Sequence, residues 1–458
     1  MLFNSYQFLV EFLPAAIAIY CFADSYPRLR IPVLVCLSLV FYGCWDPRFL
    51  LVLTASILLN WLAAHAYAAT RRGEIITAAI VADLATLFVF KYAKFFADNL
   101  NFLFGAPVAH LDIALPLGIS FFTFHHVMYL ADLRRGRAKA GSLLRYALYI
   151  CFFPQAIAGP LARWSEVGHQ YGNRVFAPGW ERRCAVGVTY IVIGLVEKTM
   201  LADALGRALD PIYAGAASEP VSDGSAWFAL AFNFQIFFDF SGYSDVAIGL
   251  GLIFGIELPQ NFNAPFRATN ILEFWQRWHM TFSRFLRDYL FLPLSDLRIA
   301  GRRHTTAHYL GAIFTTMALC GLWHGAGWNY VLWGALHGSA IIFVLAWRRF
   351  LRAPGRWIGW AATVGFCVLS SVLFRAGSLE TAWHVYQGLA VVPGPGRIST
   401  TVGLCSVCAL LLPATRDIVE RLTIRPWPAT AVATALSGVA ILIELGGHES
   451  YGFIYFKF

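Results

Sequence analysis

The chain is predicted to be an all-α polytopic membrane protein, with about eleven transmembrane helices plus re-entrant and interfacial helices. Three observations predict this. Of its 458 residues, 58% are hydrophobic and only 13% are charged, and the mean hydropathy is +0.60. Such a chain has too little polar surface to cover itself in water. Apolar runs near the length of about 20 residues that a bilayer crossing needs recur along it. The ionisable and polar residues placed inside apolar sequence gather between about 233 and 338, where a membrane interior makes them costly and therefore informative.

The runs are expected at about 7–23, 32–44, 48–69, 75–97, 113–131, 144–158, 185–205, 226–256, 308–323, 328–347, 357–374, 402–413 and 429–446. The second is short enough to be tilted or to enter only part-way. The opening MLFNSYQFLV lacks a basic region, and Glu11 interrupts the apolar stretch. It is therefore read as a retained membrane helix rather than a cleaved signal. Arg28 and Arg30, then Arg71 and Arg72, then Arg134, Arg135, Arg137 and Lys139 fall in alternate loops. The intervening loops hold fewer, with Arg48, Lys91 and Lys94. The basic side is cytoplasmic by the positive-inside rule, which places the N-terminus on the periplasmic side.

Two segments break the pattern. FFPQAIAGPLARW (152–164) carries Pro154, Gly159 and Pro160, and PQNFNAPFRATN (259–270) is equally irregular. Proline removes a backbone donor and obstructs the preceding turn. Irregular backbone at membrane depth persists only when buried in protein or lining a wet cavity, so an internal chamber is expected.

The net charge of +9 is read as loop basicity facing anionic lipid headgroups, with no nucleic-acid partner. The nine cysteines are read as small buried apolar residues. Cys405 and Cys408 form a lone C-x-x-C without the further ligands a zinc site needs. His125 and His126 are adjacent and diverge on a helix, whereas His304 and His308 have metal-compatible spacing in a basic loop without a nearby carboxylate. No metal is expected. P-loop, zincin and nucleophile-elbow patterns are absent.

Three clusters carry the chemistry. NFQIFFDFSGYSDVAIGLGLIFGIELPQNFN (233–263) holds Asp239, Ser241, Asp245 and Asn261. They read either as a polar wall of a cavity or as caps and helix-to-helix hydrogen bonds. Gly249, Gly251 and Gly255 suit close helix approach. ILEFWQRWHMTFSRFLRDYLFLPL (271–294) holds Trp275, Arg277, Trp278, His279, Arg287 and Asp288. If helical, it sets Trp275, His279 and Ser283 on one face. It reads either as a buried functional helix or as a basic, aromatic helix lying at the interface. CGLWHGAGWNYVLWGALHG (320–338) is the sharpest, with Trp323, His324 and Trp328. Imidazole titrates near neutrality, and burial keeps it neutral and able to accept a proton. Gly325 and Gly327 are expected to free the backbone and let a large substrate approach the ring, with Trp328 one turn on. A histidine bridging two helices is the other reading.

These residues resemble a known family. LPLGISFFTF (115–124), FFPQAIAGP (152–160), FDFSGYSD (238–245), LPQNFNAPF (258–266), EFWQRWH (273–279), FLRDYL (285–290), WHGAGWNYVLWGALHG (323–338) and the terminal FIYFKF (453–458) are similar to the membrane-bound O-acyltransferases, in the branch of bacterial alginate O-acetyltransferase membrane subunits. The resemblance implies one transmembrane domain over 1–458, with its core motifs at about 115–340, built as helices around a central funnel or tunnel in the bacterial inner membrane. It implies that His324 is catalytic and His279 the second important histidine. Asp239, Ser241, Asp245, Asn261, Trp275, Arg277, Trp278, Arg287, Asp288, Trp323 and Trp328 form the set expected to bind or orient substrates.

It further implies acetyl-CoA as donor substrate with no bound cofactor, an exported polysaccharide as acceptor, and a periplasmic SGNH-type acetyltransferase partner with a serine nucleophile. Two departures stand out: Gln276 where the branch often has Arg, and His125–His126 where it often has Gln-Gln. D-alanyl transfer to teichoic acid and lipid O-acylation are the enzymatic alternatives. A transporter or flippase is the non-enzymatic one, which would usually show an internal repeat; none is seen.

Overall fold

The computed structural model describes residues 1–105, 113–296, 305–392, 394, 399–424, 428–447 and 452–454. All regular structure among them is helical. Among the described residues seven helices are long and apolar enough to cross a membrane: Gln7–Asp24, Arg48–Thr70, Gly73–Lys91, Trp180–Ala216, Ala226–Ile253, Trp328–Phe350 and Arg356–Arg375. Thr400–Leu411 and Thr415–Thr423 make an eighth if their 74° bend lies within one span. Arg30–Gly43 and Ala431–Gly446 are apolar but shorter. At 1.5 Å per residue an 18-residue helix reaches about 27 Å, near the hydrocarbon thickness.

Segments that the hydropathy pattern suggests as spans are in part shorter here. Ile119–Arg134 has 16 residues, and most of its side chains are buried in protein. Leu143–Cys151 has 9 and stops ahead of Pro154, whose ring cannot follow an unbroken helix.

The chain divides into two compact units. One comprises Met1–Gly194, Tyr243–Gln260 and Val419–Gly452. Its core is aromatic: Phe41 and Phe153 lie 5.4 Å apart, with Phe12 5.5 Å from each. Residues 152–162 are buried throughout, and side chains meet their backbone. Phe153 N–H donates to Ser38 Oγ (3.1 Å), and Tyr149 OH donates to the Ala162 carbonyl (3.1 Å). Irregular buried backbone is tolerated where such partners exist.

Gly249 provides the expected close approach, since a β-carbon there would run into the carbonyl of Gly187. His126 bridges helices, bonding Tyr146 OH (2.6 Å) and Ser56 Oγ (3.1 Å), and His125 Nδ1 meets its own helix at the Phe121 carbonyl (2.9 Å).

The other unit comprises Leu195–Gly242, Asn261–Ile418 and Phe453–Phe458. Its frame is a helical hairpin, Thr306–His324 followed by Trp328–Phe350. Gly334 and Gly338 form a G-x-x-x-G on the second helix. Added β-carbons at Gly334 and Gly321 would collide with the carbonyls of Met317 and Tyr330, and one at Gly338 would lie 3.2 Å from Phe314 Cα. Small residues let the two backbones meet, which is how helices associate where lipid removes the hydrophobic drive. Asn329 then ties the hairpin to a neighbour, donating from Nδ2 to the carbonyls of Leu373 (3.1 Å) and Ala376 (2.7 Å) at the end of Arg356–Arg375.

Candidate active site

His279 stands at a break rather than on a continuous helical face. Asn270 caps Ile271–Arg277 by accepting from Glu273 N–H (3.0 Å), and Glu273 reaches back to Thr269 N–H (2.9 Å), a reciprocal cap. Arg277 closes the turn onto Glu273 at 2.9 Å; against the opposing effect of burial, the Thr269 hydrogen bonds and then Arg277 hold the Glu273 carboxyl below its usual range. The helix ends there. His279 takes a left-handed conformation, φ 43°, and Met280–Phe285 begins a new helix. The expected single face of Trp275, His279 and Ser283 is thus overturned, because a non-glycine residue at positive φ redirects the chain.

Irregular backbone from 261 to 263 is stitched across the break. Met280 N–H donates to the Asn261 carbonyl (2.8 Å), and Asn263 N–H donates to the Arg277 carbonyl (2.9 Å). A buried left-handed residue persists where its surroundings over-determine it.

The same asparagine sets the protonation of the ring. Asn261 Oδ1 accepts from Thr281 N–H (3.4 Å) and Thr281 Oγ–H (2.9 Å). A backbone N–H can only donate, so the atom facing it is the amide oxygen. His279 Nδ1, 2.9 Å from that oxygen, therefore carries the hydrogen, and Nε2 carries the lone pair. Nε2 has no hydrogen-bond partner among the described residues. Burial holds the imidazole neutral, well below its usual pKa.

His324 ends Thr306–His324 and is 4% exposed. Its ring packs against Phe374 (4.9 Å), Trp333 (5.4 Å) and Phe282 (6.0 Å). Phe282 also stacks on His279 (4.9 Å) and lies 4.2 Å from Trp323. The two histidines therefore border one phenylalanine. The glycines beside His324 permit close packing. Their backbone is extended, with φ −164° and −165°, which any residue adopts. A β-carbon at Gly325 would strike the Tyr330 ring, and one at Gly327 would strike Asn329 Oδ1. Trp328 does not follow His324 on one helix, because the chain breaks at 325–327, and it is 59% exposed.

Other expected residues are distributed as follows. Trp275, Trp278 and Trp323 are buried in the same unit. Trp275 lies 6.0 Å from Trp333, and Trp278 lies 5.2 Å from Phe262. Asp239 pairs with Lys198 (2.7 Å) and accepts from Ile454 N–H (2.8 Å). Lys198 also pairs with Asp203 (2.5 Å). Ser241 donates to Glu197 in a short bond, and Thr415 donates to the same carboxylate at 3.2 Å. Of the two readings of this stretch, Asp239 and Ser241 follow the one in which polar side chains tie segments together.

Asp245 is buried and belongs to the unit containing Tyr243–Gln260. Arg277 is held by Glu273 and the Asn263 carbonyl (3.2 Å). Arg287 is largely exposed and pairs with the buried Asp288 at 2.9 Å. Glu197, Lys198 and Asp203 were missed as candidates, although three charges within GLVEKTMLAD are the signal that membrane depth makes meaningful. A π-helical turn, Glu197–Ala202, carries the first two, and such turns often mark sites that re-aim side chains.

Among the described residues no group of three or more His, Cys, Asp or Glu is placed to hold a metal ion. His308 Nε2 meets the Leu294 carbonyl (2.9 Å), while His304 and residues 455–458 of the terminal motif lie outside the described residues.

Residues 80–372 match the family model described as MBOAT, membrane-bound O-acyltransferase family. The chain belongs to the membrane-bound O-acyltransferases. Among relatives of this acyltransferase, the probable alginate O-acetylase AlgI of Pseudomonas aeruginosa is 37% identical over 408 residues, covering 85% of this chain and 75% of the relative. A peptidoglycan O-acetyltransferase of Helicobacter pylori is 35% identical, covering 86% of this chain and 80% of the relative. A teichoic acid D-alanyltransferase of Streptococcus thermophilus is 31% identical over 51% of this chain and 57% of the relative. The membrane-bound O-acyltransferase described here is thus an enzyme that transfers an acyl group to oxygen.

Proposed function

We propose that this enzyme moves an acetyl group from acetyl-CoA on the cytoplasmic side of the bacterial inner membrane toward a hydroxyl of an exported polysaccharide, with a periplasmic SGNH-type acetyltransferase as partner. The N-terminus lies on the periplasmic side in this reading. The observation that carries it is the pair of buried histidines on either side of Phe282, in a chain whose relatives are named for O-acetylation of alginate and of peptidoglycan.

In the proposed reaction the acceptor hydroxyl loses its proton to neutral His324 as its oxygen attacks the thioester carbonyl. The carbon–sulfur bond then breaks, and the leaving thiolate takes the proton back from the imidazolium. His279 has its Nδ1–H committed to Asn261, so in the neutral ring only the Nε2 lone pair is left. It can accept a hydrogen bond and orient an O–H, and it cannot donate to an oxyanion. This narrows its proposed role to orienting the acceptor. Trp275 and Trp323 line the aromatic wall, and Lys198, Asp239 and Glu197 hold the frame.

The test is acetate on the exported polysaccharide of a deletion strain carrying wild-type protein or His324→Ala at equal membrane level. General-base help is worth typically 10²–10⁴-fold, so acetate should fall at least about 100-fold in the variant. Full acetate with His324→Ala would remove His324 from the mechanism and bring a transport role forward.

A further inference from the structure

A third buried histidine lies in the same aromatic cluster and is used by none of the steps above. His337 is 2% exposed, and its Nε2 lies 3.1 Å from Ser370 Oγ. Ser370 Oγ–H donates to the Cys367 carbonyl at 3.1 Å. A hydroxyl has one hydrogen, so Ser370 can only accept from the ring. His337 Nε2 therefore carries the proton, and Nδ1 carries a lone pair. Nδ1 has no hydrogen-bond partner among the described residues.

Trp275 is also buried, and its Nε1–H, a donor only, has none either. The two rings lie 5.5 Å apart at 80°. Both pack on Trp333, at 4.5 Å and 6.0 Å, and Trp333 is the ring that touches His324. One acceptor and one donor are thus left unmet in the same apolar cluster, where an unmade hydrogen bond is expensive.

We propose that Trp275 and His337 form a subsite for a hydroxyl group beside His324, and that a second hydroxyl of the acceptor, distinct from the one that attacks the thioester, occupies it. The inference rests on the acyltransfer reading of His324 given above. A hydroxyl donates one hydrogen bond, to His337 Nδ1, and accepts another, from Trp275 Nε1–H. A carbonyl would satisfy Trp275 alone, an ammonium would satisfy His337 alone, and an acyl chain neither. The group that completes the pair through a single atom is the oxygen of an alcohol or of a water molecule, and the two are separable by experiment.

The deletion strain is supplied with His337→Phe, His337→Gln, Trp275→Phe or His324→Ala, so that the cell provides its own acceptor and partner. Acetate on exported polysaccharide is measured at equal membrane level, together with the melting temperature of each purified protein in detergent. His337→Phe and Trp275→Phe keep an aromatic ring and lose the polar atom. Each should lower acetate at least 10-fold with the melting temperature unchanged or raised. His337→Gln, whose amide oxygen can accept in place of Nδ1, should restore most of the acetate.

Full acetate with His337→Phe overturns the proposal. So does a fall in melting temperature with acetate per unit of membrane protein unchanged, which is the signature of a structural water. Retained acetate in His324→Ala would instead strike the acyltransfer reading itself, which keeps the two failures apart.

Discussion

At the scale of single residues, Asn261 links backbone and chemistry. Its carbonyl accepts from Met280 N–H across the break, and its side chain fixes the His279 tautomer. Asn261→Ala should free the ring to rotate and to invert its tautomer, lowering acetate transfer about 10- to 100-fold, by analogy with the loss of partners that orient metal-bound histidines. The measurement is acetate per unit polysaccharide at matched membrane level.

The pH dependence has a defined sign. His279 is depressed well below the usual imidazole value by burial, so its neutral form is already complete at pH 6.5 and is lost only on further acidification. The wild-type rate should therefore show no drop centred near pH 6.5 that His279→Gln abolishes. His324 could be singled out from the sequence because a histidine between tryptophan and glycine in apolar sequence is rare chemistry. His337 could not, because its significance lies in Ser370 and Trp275, which local spacing does not place beside it.

At the scale of elements, the helical hairpin positions His324 at the end of one arm and His337 along the other. Its contact is made by glycines, so Gly334→Leu should drive the arms apart. Overpacking of this kind costs on the order of 1–3 kcal/mol, and here the obstruction is backbone that cannot swing aside. A lowered melting temperature and reduced membrane level are expected, and a variant as stable as wild type would show that the arms need not touch. The break at His279 is the element the sequence could not reveal. EFWQRWHMTFSRF reads as helix by composition, and hydrogen bonds from residues 261–263 help hold the chain in its turn. The irregular segment 152–164 was legible, because proline announces its own effect on a helix. The partners that satisfy its backbone, Ser38 among them, were not.

At the scale of the whole molecule, charge asymmetry makes a topological prediction. Single cysteines placed at Arg72 and at Arg137, in a background without accessible thiols, should react with a membrane-impermeant reagent only after the inner membrane is breached. One at Ser5 should react in intact spheroplasts, and the opposite pattern would invert the orientation. The membrane class follows from composition and periodicity alone, since the cost of exposing so much apolar surface does not depend on how it is folded. Family motifs are likewise visible in one dimension, and with them His279 and His324. The number of helices long enough to cross, the turn at His279, the tautomers of His279 and His337 and the Lys198–Asp239 pair required the tertiary structure. Each depends on residues far apart in the chain, and hydrogen bonds and ion pairs are set by where atoms meet in space rather than by the period of the sequence that carries them.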